Sequence, residues 1–144
     1  MTSELLEGER CHSIIGAFLE VFHYFGAGLS ESIYAGALEV ALMDRGHKVD
    51  REVAVEVAFK GRHIGWQRLD MLVDECVIVE LKATEKIAPF VQAQIMSYLR
   101  VTVFEVALLL HAGSEAKWRR FVDSPKNAHR SRPIARIEVE AARR

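Results

Sequence analysis

The sequence predicts an α/β protein, a mixed β-sheet flanked by helices, with its elements in the order α-α-β-β-β-α-β. Three observations predict it. Apolar residues recur at three- and four-residue steps up to about residue 45 and then alternate from residue 52. A nearly continuous apolar run, Val77-Ile78-Val79-Glu80-Leu81, suits a central strand covered on both faces. Beyond it come a proline, an amphipathic stretch and a further apolar run, the pattern of a crossover helix and another strand.

Residues 4–24 read as the first helix, with Ile14, Ile15, Phe18, Leu19, Phe22 and Phe25 as its apolar stripe and Gly26-Ala27-Gly28 as its stop. A second helix is expected from about Ser30, a residue type that caps helices, to Arg45. Its predicted buried face is Ile33, Ala37, Leu38, Ala41 and Leu42, and Gly46 ends it. The alternation over Glu52–Phe59 predicts a half-buried strand, Lys60-Gly61-Arg62 a tight turn, and His63–Val73 and Cys76–Lys82 two more strands. Pro89 can open the next helix, whose inner face is Val91, Ile95, Tyr98 and Leu99. Phe104–His111 reads as a strand, Ala112-Gly113-Ser114 as a loop and 115–122 as a short basic strand or helix. After Pro125 little regular structure is expected beyond a weak strand at Ile134–Val139.

At 144 residues and 16.3 kDa the chain is long enough for one domain with a sizeable core. The domain is expected over 1–122, with 123–144 as a weakly structured basic tail. Half the residues are hydrophobic and the net charge is -1, which excludes disorder as the main state. Apolar runs such as Val106–Leu110 are far shorter than the roughly 20 residues that a bilayer requires. The acidic N-terminus has no signal-peptide pattern. Cys11 and Cys76 form no metal or redox motif, so free thiols and a cytoplasmic location are expected.

The charge is unevenly spread. Residues 1–116 carry 10 basic and 17 acidic side chains, and residues 117–144 carry 9 basic and 3 acidic. Lys117, Arg119, Arg120, Lys126, Arg130, Arg132 and Arg136 therefore read either as a solvated tail or as a phosphate-facing patch on an otherwise acidic protein.

The segment from Asp70 to Lys82 is the most informative for chemistry. Asp70 interrupts Leu69-Asp70-Met71-Leu72-Val73, and Glu80 and Lys82 end an apolar run. Charges in such positions are costly unless paired, metal-bound or catalytic. Glu80 and Lys82 are two apart on one strand and share a face. A two-residue turn at Asp74-Glu75 would set Asp70 opposite Val79, facing away from Glu80. A three-residue loop, Asp74-Glu75-Cys76, sets Asp70 opposite Glu80 with Cβ atoms roughly 4.5–5.5 Å apart. Two carboxylates that close call for a cation, and oxygen ligands suit Mg²⁺ or Mn²⁺. The structural alternative is a strand-end ion pair.

Gly28-Leu29-Ser30-Glu31-Ser32-Ile33-Tyr34 fits the pattern of the GxxExxY proteins, members of the PD-(D/E)XK nuclease superfamily, which the chain resembles. The likeness continues through residues 69–73, 77–83 and 93–99 and ends near Lys117–Val122. It implies a PD-(D/E)XK nuclease-like core and a divalent-metal-dependent nuclease, with DNA favoured over RNA. By that resemblance Asp70 and Glu80 are metal carboxylates, Glu31 helps to bind the metal or its water, Lys82 is the lysine of the E-x-K signature and Gln94 faces the site. Leu69 stands where the superfamily often has proline. Without the resemblance, Glu31 and Gln94 read as exposed helix positions, Tyr34 and Tyr98 as packing residues, and Trp66 and Trp118 as partial core. The rival function is a nuclease-fold module that binds nucleic acid or protein without cleaving. A net charge of -1 fits a free-standing DNA binder poorly, so a homodimer or a partner protein is a further expectation.

Overall fold

The computed structural model describes residues 3–123 and 137–139. Two helices, α1 (Ser3–Phe25) and α2 (Glu31–Asp44), precede β1 (Val49–Phe59), β2 (Arg62–Val73) and β3 (Val77–Lys82). Helix α3 (Phe90–Val101) crosses to β4 (Val106–Ala112), which is followed by β5 (Ala116–Val122) and β6 (Ile137–Val139). The sheet order is β5-β4-β3-β2-β1-β6. β1, β2 and β3 form an antiparallel meander, β4 lies parallel to β3, and β5 and β6 are antiparallel edge strands. The predicted order is present, and the basic segment near 115–122 is a strand. β6 falls within the expected weak strand and pairs with β1 from Val53↔Val139 to Val55↔Ile137. The rest of the expected tail, with Lys126, Arg130, Arg132 and Arg136, lies outside the described residues. No described helix is long and apolar enough to cross a membrane.

The sheet separates two cores. On one face Val77, Val79, Leu81, Leu108 and Leu110 pack against Ile14, Phe18, Leu38 and Leu42 of α1 and α2. On the other, Leu72, Ile78, Ala107 and Leu109 pack against Ile95, Tyr98 and Leu99 of α3. β3 and β4 are covered twice, which is why their sequences do not alternate. The α2 face differs from expectation at one position. Ile33 is 49% exposed, and Tyr34 is buried in its place. A polar handle decides this: the Tyr34 hydroxyl donates to the Gly26 carbonyl and accepts from Leu29 N–H at 3.2 Å, so it ties down the loop that enters the helix. Phe25, at the end of the predicted α1 stripe, is 41% exposed, and Trp66 and Trp118 are about half exposed, at 48% and 46%.

The β1–β2 turn is Lys60-Gly61 alone, since Phe59 pairs with Arg62 and both turn residues have positive φ (52° and 74°). The β2–β3 loop has three residues, Asp74-Glu75-Cys76. The observed pairs Met71↔Val79, Leu72↔Ile78 and Val73↔Val77 set Asp70 opposite Glu80 at the next position.

Asp74 holds that loop. Its carboxylate accepts from Lys48 N–H at 2.8 Å, Arg10 Nε at 2.9 Å and His47 Nδ1 at 2.7 Å. His47 Nε2 lies 2.7 Å from Ser13 Oγ on α1. These three residue types form hydrolase triads elsewhere. Here Ser13 sits within α1, whose backbone N–H groups are engaged in the helix and offer no oxyanion site. The network is a tie between α1, the start of β1 and the hairpin. Partial burial pushes the Asp74 carboxyl up, but the bonds from His47, Lys48 N–H and Arg10 outweigh it and hold the group below its ordinary range.

Asp74→Ala should therefore destabilise the fold by about 2 kcal/mol in urea unfolding at pH 7, the loss of charge-assisted bonds at a half-buried site. Because the folded group titrates below the unfolded one, this contribution is complete above the ordinary carboxylate value near ~4 and fades as pH falls through the folded value. The gap between wild type and Asp74→Ala should close on acidification.

Candidate active site

The sheet forks where the acidic residues stand. β2–β3 pairing stops at Met71↔Val79, while β1–β2 pairing runs on to Phe59↔Arg62 and β3–β4 pairing to Lys82↔His111. Asp70 and Glu80 flank the point of divergence. β1 and β2 also turn over there. Val49, Met71 and Val73 belong to the α1/α2 core, whereas Val53, Val55 and Leu69, of the same parity, belong to the α3 core. The turnover falls at Glu52, which has φ +51° in mid-strand, and the Glu52–Asp70 pair is missing from the ladder. A left-handed non-glycine residue costs about 1 kcal/mol, and such costs concentrate at functional sites.

Asp70 is exposed, and Glu80 is 3% exposed and hydrogen-bonded to it. Burial first, then the hydrogen bond and charge of Asp70, push the Glu80 carboxyl up to about 9; Lys82 opposes this and Glu31 adds to it. Lys82 Nζ lies 3.9 Å from Glu80 Oε2. Tyr98 of α3 faces the same pair, and burial together with the charges of Glu80 and Asp70 pushes its phenol up to about 12. Gln94 is half-buried one turn earlier on α3, on the side that carries Val91 and Tyr98. On the other side of the fork a cavity of about 180 Å³ is lined by Glu31, Ser32, Arg51, Glu52 and Asp70 among others. Glu31 Oε1 accepts a hydrogen bond from Ala83 N–H at 3.1 Å, just past Lys82.

The structure thus brings Glu31, Asp70, Glu80 and Lys82 to one fork and turns the Gln94 face of α3 towards it. It divides the basic candidates. Register places Glu80, Leu109 and Arg119 in one row across the sheet, and Lys82, His111 and Lys117 in the next. Lys117 and Arg119 therefore share the α3 face with Glu80 and Lys82. Arg120 lies on the opposite face and bonds to Cys11 of α1. The alternation of β5 alone separates it from the other two.

Sequence reasoning missed Arg51, Glu52 and His111. The signal for the first two was faint: Glu52 marks where strand alternation starts, and the strand in fact begins three residues earlier, at Val49. His111 was read only as the end of an apolar strand.

A family model for the PD-(D/E)XK nuclease superfamily matches residues 8–121. The chain belongs to that superfamily, whose members generally use divalent metal ions. No curated protein and no solved structure matches it.

The donor set fits such an ion. A buried carboxyl that shares a hydrogen bond with a second carboxyl keeps a proton that a cation can replace. Among the described residues no group of three or more His, Cys, Asp or Glu is placed to hold an ion. Mg²⁺ retains waters and takes phosphate oxygens, so one or two carboxylates suffice for it.

Glu80 makes the metal-free protein sensitive to base. Its folded value lies above the unfolded one, so between roughly 4.5 and 9 the native state binds more protons and stability falls as pH rises. In EDTA the Tm should drop from pH 5 to pH 9. Glu80→Gln should flatten that slope and raise the Tm at pH 8 by a few degrees. A parallel slope in the variant would remove Glu80 as its source.

Proposed function

We propose that this chain is a nuclease of the GxxExxY kind that hydrolyses phosphodiester bonds in nucleic acid, DNA in preference to RNA, with Mg²⁺ or Mn²⁺ bound by Asp70 and Glu80. The observation that carries this reading is the Asp70–Glu80 pair at the sheet fork, with Lys82 3.9 Å from Glu80. The preference for DNA rests on the superfamily resemblance.

When bound, the ion supplies charge neutralisation at phosphorus and lowers the pKa of a water. The chain does the rest. Asp70 is the exposed carboxylate and Glu80 the buried one, so Asp70 meets solvent and substrate while Glu80 fixes the depth of the site. Lys82 is a quarter exposed on the same strand face; it orients or deprotonates the attacking water, or meets the negative charge that grows on the phosphoryl oxygens. Gln94 and Tyr98 supply polar groups from the α3 side. Lys117 and Arg119 hold backbone phosphates: both are exposed, and Arg119 is steadied by Gln92 Oε1 at 2.8 Å and by the Phe121 ring.

The test is calorimetric titration of Mn²⁺ into the full chain, followed by cleavage assays on single- and double-stranded DNA and RNA. Asp70→Asn should abolish ion binding and cleavage together. Lys82→Ala should lower cleavage by about 10²–10³-fold while leaving Mn²⁺ affinity within a few-fold. Cleavage that survives both substitutions would sink the proposal.

A second reading, binding without cleavage, is favoured by the acidic surroundings of the fork, where Glu31, Glu52 and Asp70 line one cavity and Glu80 lies beside Asp70. Metal binding without turnover on any substrate would select it.

Salt dependence tests the basic row under either reading. Replacing Lys117 and Arg119 with alanine should reduce the slope of log K against log salt by about 1–2. Arg120→Ala, on the far face, should leave the slope unchanged.

A further inference from the structure

Ala83 and Thr84, the two residues after Lys82, are each held by a side chain from a different element. Glu31, in the first turn of α2, accepts from Ala83 N–H at 3.1 Å. His111, on β4, donates through Nε2 to the Thr84 carbonyl at 2.6 Å; a carbonyl only accepts, so Nε2 carries the proton. Thr84 Oγ1 donates in turn to the Lys86 carbonyl at 2.7 Å.

The surroundings of both side chains fit this role. The loop into α2 is fixed by the Tyr34 hydroxyl between Gly26 and Leu29, and Gly28 takes φ +106° there, so Glu31 starts the helix at a defined place. On β4's side, a Cβ at Gly113 would lie 2.8 Å from His111 Nε2 and 2.9 Å from its Cε1. The ring occupies the space that a side chain at 113 would fill. At Lys82 the strand has already parted from β2 and pairs with β4 alone. The Ala83 N–H thus finds in Glu31 the partner that a neighbouring strand would otherwise supply, through a charge-assisted bond.

We propose that Glu31 and His111 are positioning residues that clamp the end of β3 from two sides and so set where Lys82 stands relative to Glu80, with Glu31 acting through the Ala83 backbone and not as a ligand of the ion. The consequence for cleavage rests on the nuclease reading. The clamp itself does not.

The experiment measures amide hydrogen exchange in the full ¹⁵N-labelled chain, with Mn²⁺ titration alongside. Glu31→Ala should speed exchange at Ala83 N–H about tenfold or more and leave Ile78, Val79 and Glu80 unchanged. Glu31→Gln should stay close to wild type, since its amide oxygen accepts the same bond, and should bind Mn²⁺ as wild type does where Asp70→Asn does not. Gly113→Ala and His111→Ala should each speed exchange over residues 83–86. The double variant should be no faster than His111→Ala alone, because the clash needs the ring. Continued protection of Ala83 in Glu31→Ala, Glu31→Gln matching Glu31→Ala, loss of Mn²⁺ affinity in Glu31→Gln, or additive effects at 111 and 113 would each overturn the clamp. A wild type that binds no Mn²⁺ would count against the nuclease reading alone, and the exchange measurements would still decide the clamp.

Discussion

The site depends on the length of one loop. Side chains in a strand alternate with period two, so adding or removing one residue between β2 and β3 would turn every β2 side chain to the other face relative to β3. Three residues, Asp74-Glu75-Cys76, set Asp70 against Glu80. Such a loop needs unusual backbone, and Asp74 and Glu75 both take φ +54°. The bonds of Asp74 to Arg10, His47 and Lys48 N–H offset that strain and anchor the hairpin to α1 and to the start of β1. Residues far from the carboxylates thereby decide whether the carboxylates meet.

Meeting is costly in the metal-free protein, and the fold distributes the cost. Glu80 is buried beside Asp70, with Glu31 adding negative charge and the ammonium of Lys82 opposing. The sheet around the pair departs from regularity: β2 and β3 part company after Met71↔Val79, and Glu52 breaks the β1 ladder with a left-handed residue. The fork leaves Asp70 exposed while Glu80 remains inside. A buried acid beside a second carboxyl is unstable as an ion and stable as an acid, and a divalent cation reverses that preference. The geometry that raises the Glu80 carboxyl is the one in which a divalent cation would take the place of its proton.

Much of this was legible in the sequence. The switch from helical to strand period, the doubly covered run at Val77–Leu81 and the Glu80-x-Lys82 spacing each follow from local rules, and each is present. The register of Asp70 could be stated only as a condition, because loop length is read from where strands end and those ends are soft by a residue or two. What stayed hidden was long-range. Tyr34 displaces Ile33 from the core because its hydroxyl has partners at Gly26 and Leu29, which helix periodicity does not encode. Glu31 reaches Ala83 across 52 residues of chain. The basic run at 117–120 looked uniform until strand alternation sent Arg120 to the α1 face.

That division changes what the charge balance means. A net charge of -1 argues against a nucleic-acid binder only if charge is spread evenly. Across β3, β4 and β5, register stacks Lys82, His111 and Lys117 in one row and sets Arg119 in the row of Glu80. Neighbouring strands lie ≈ 4.8 Å apart, so Lys117 and Arg119 begin about 10 Å from Lys82 and Glu80. A phosphate chain lying across the strands would meet the carboxylate pair at the fork and cations two strands away. Residues 1–116 carry 17 acidic and 10 basic side chains, so the net negative charge lies mainly before β5. Lys117 and Arg119 thus stand on the face of the carboxylate pair, and the net charge alone does not argue against a polyanionic partner for that face.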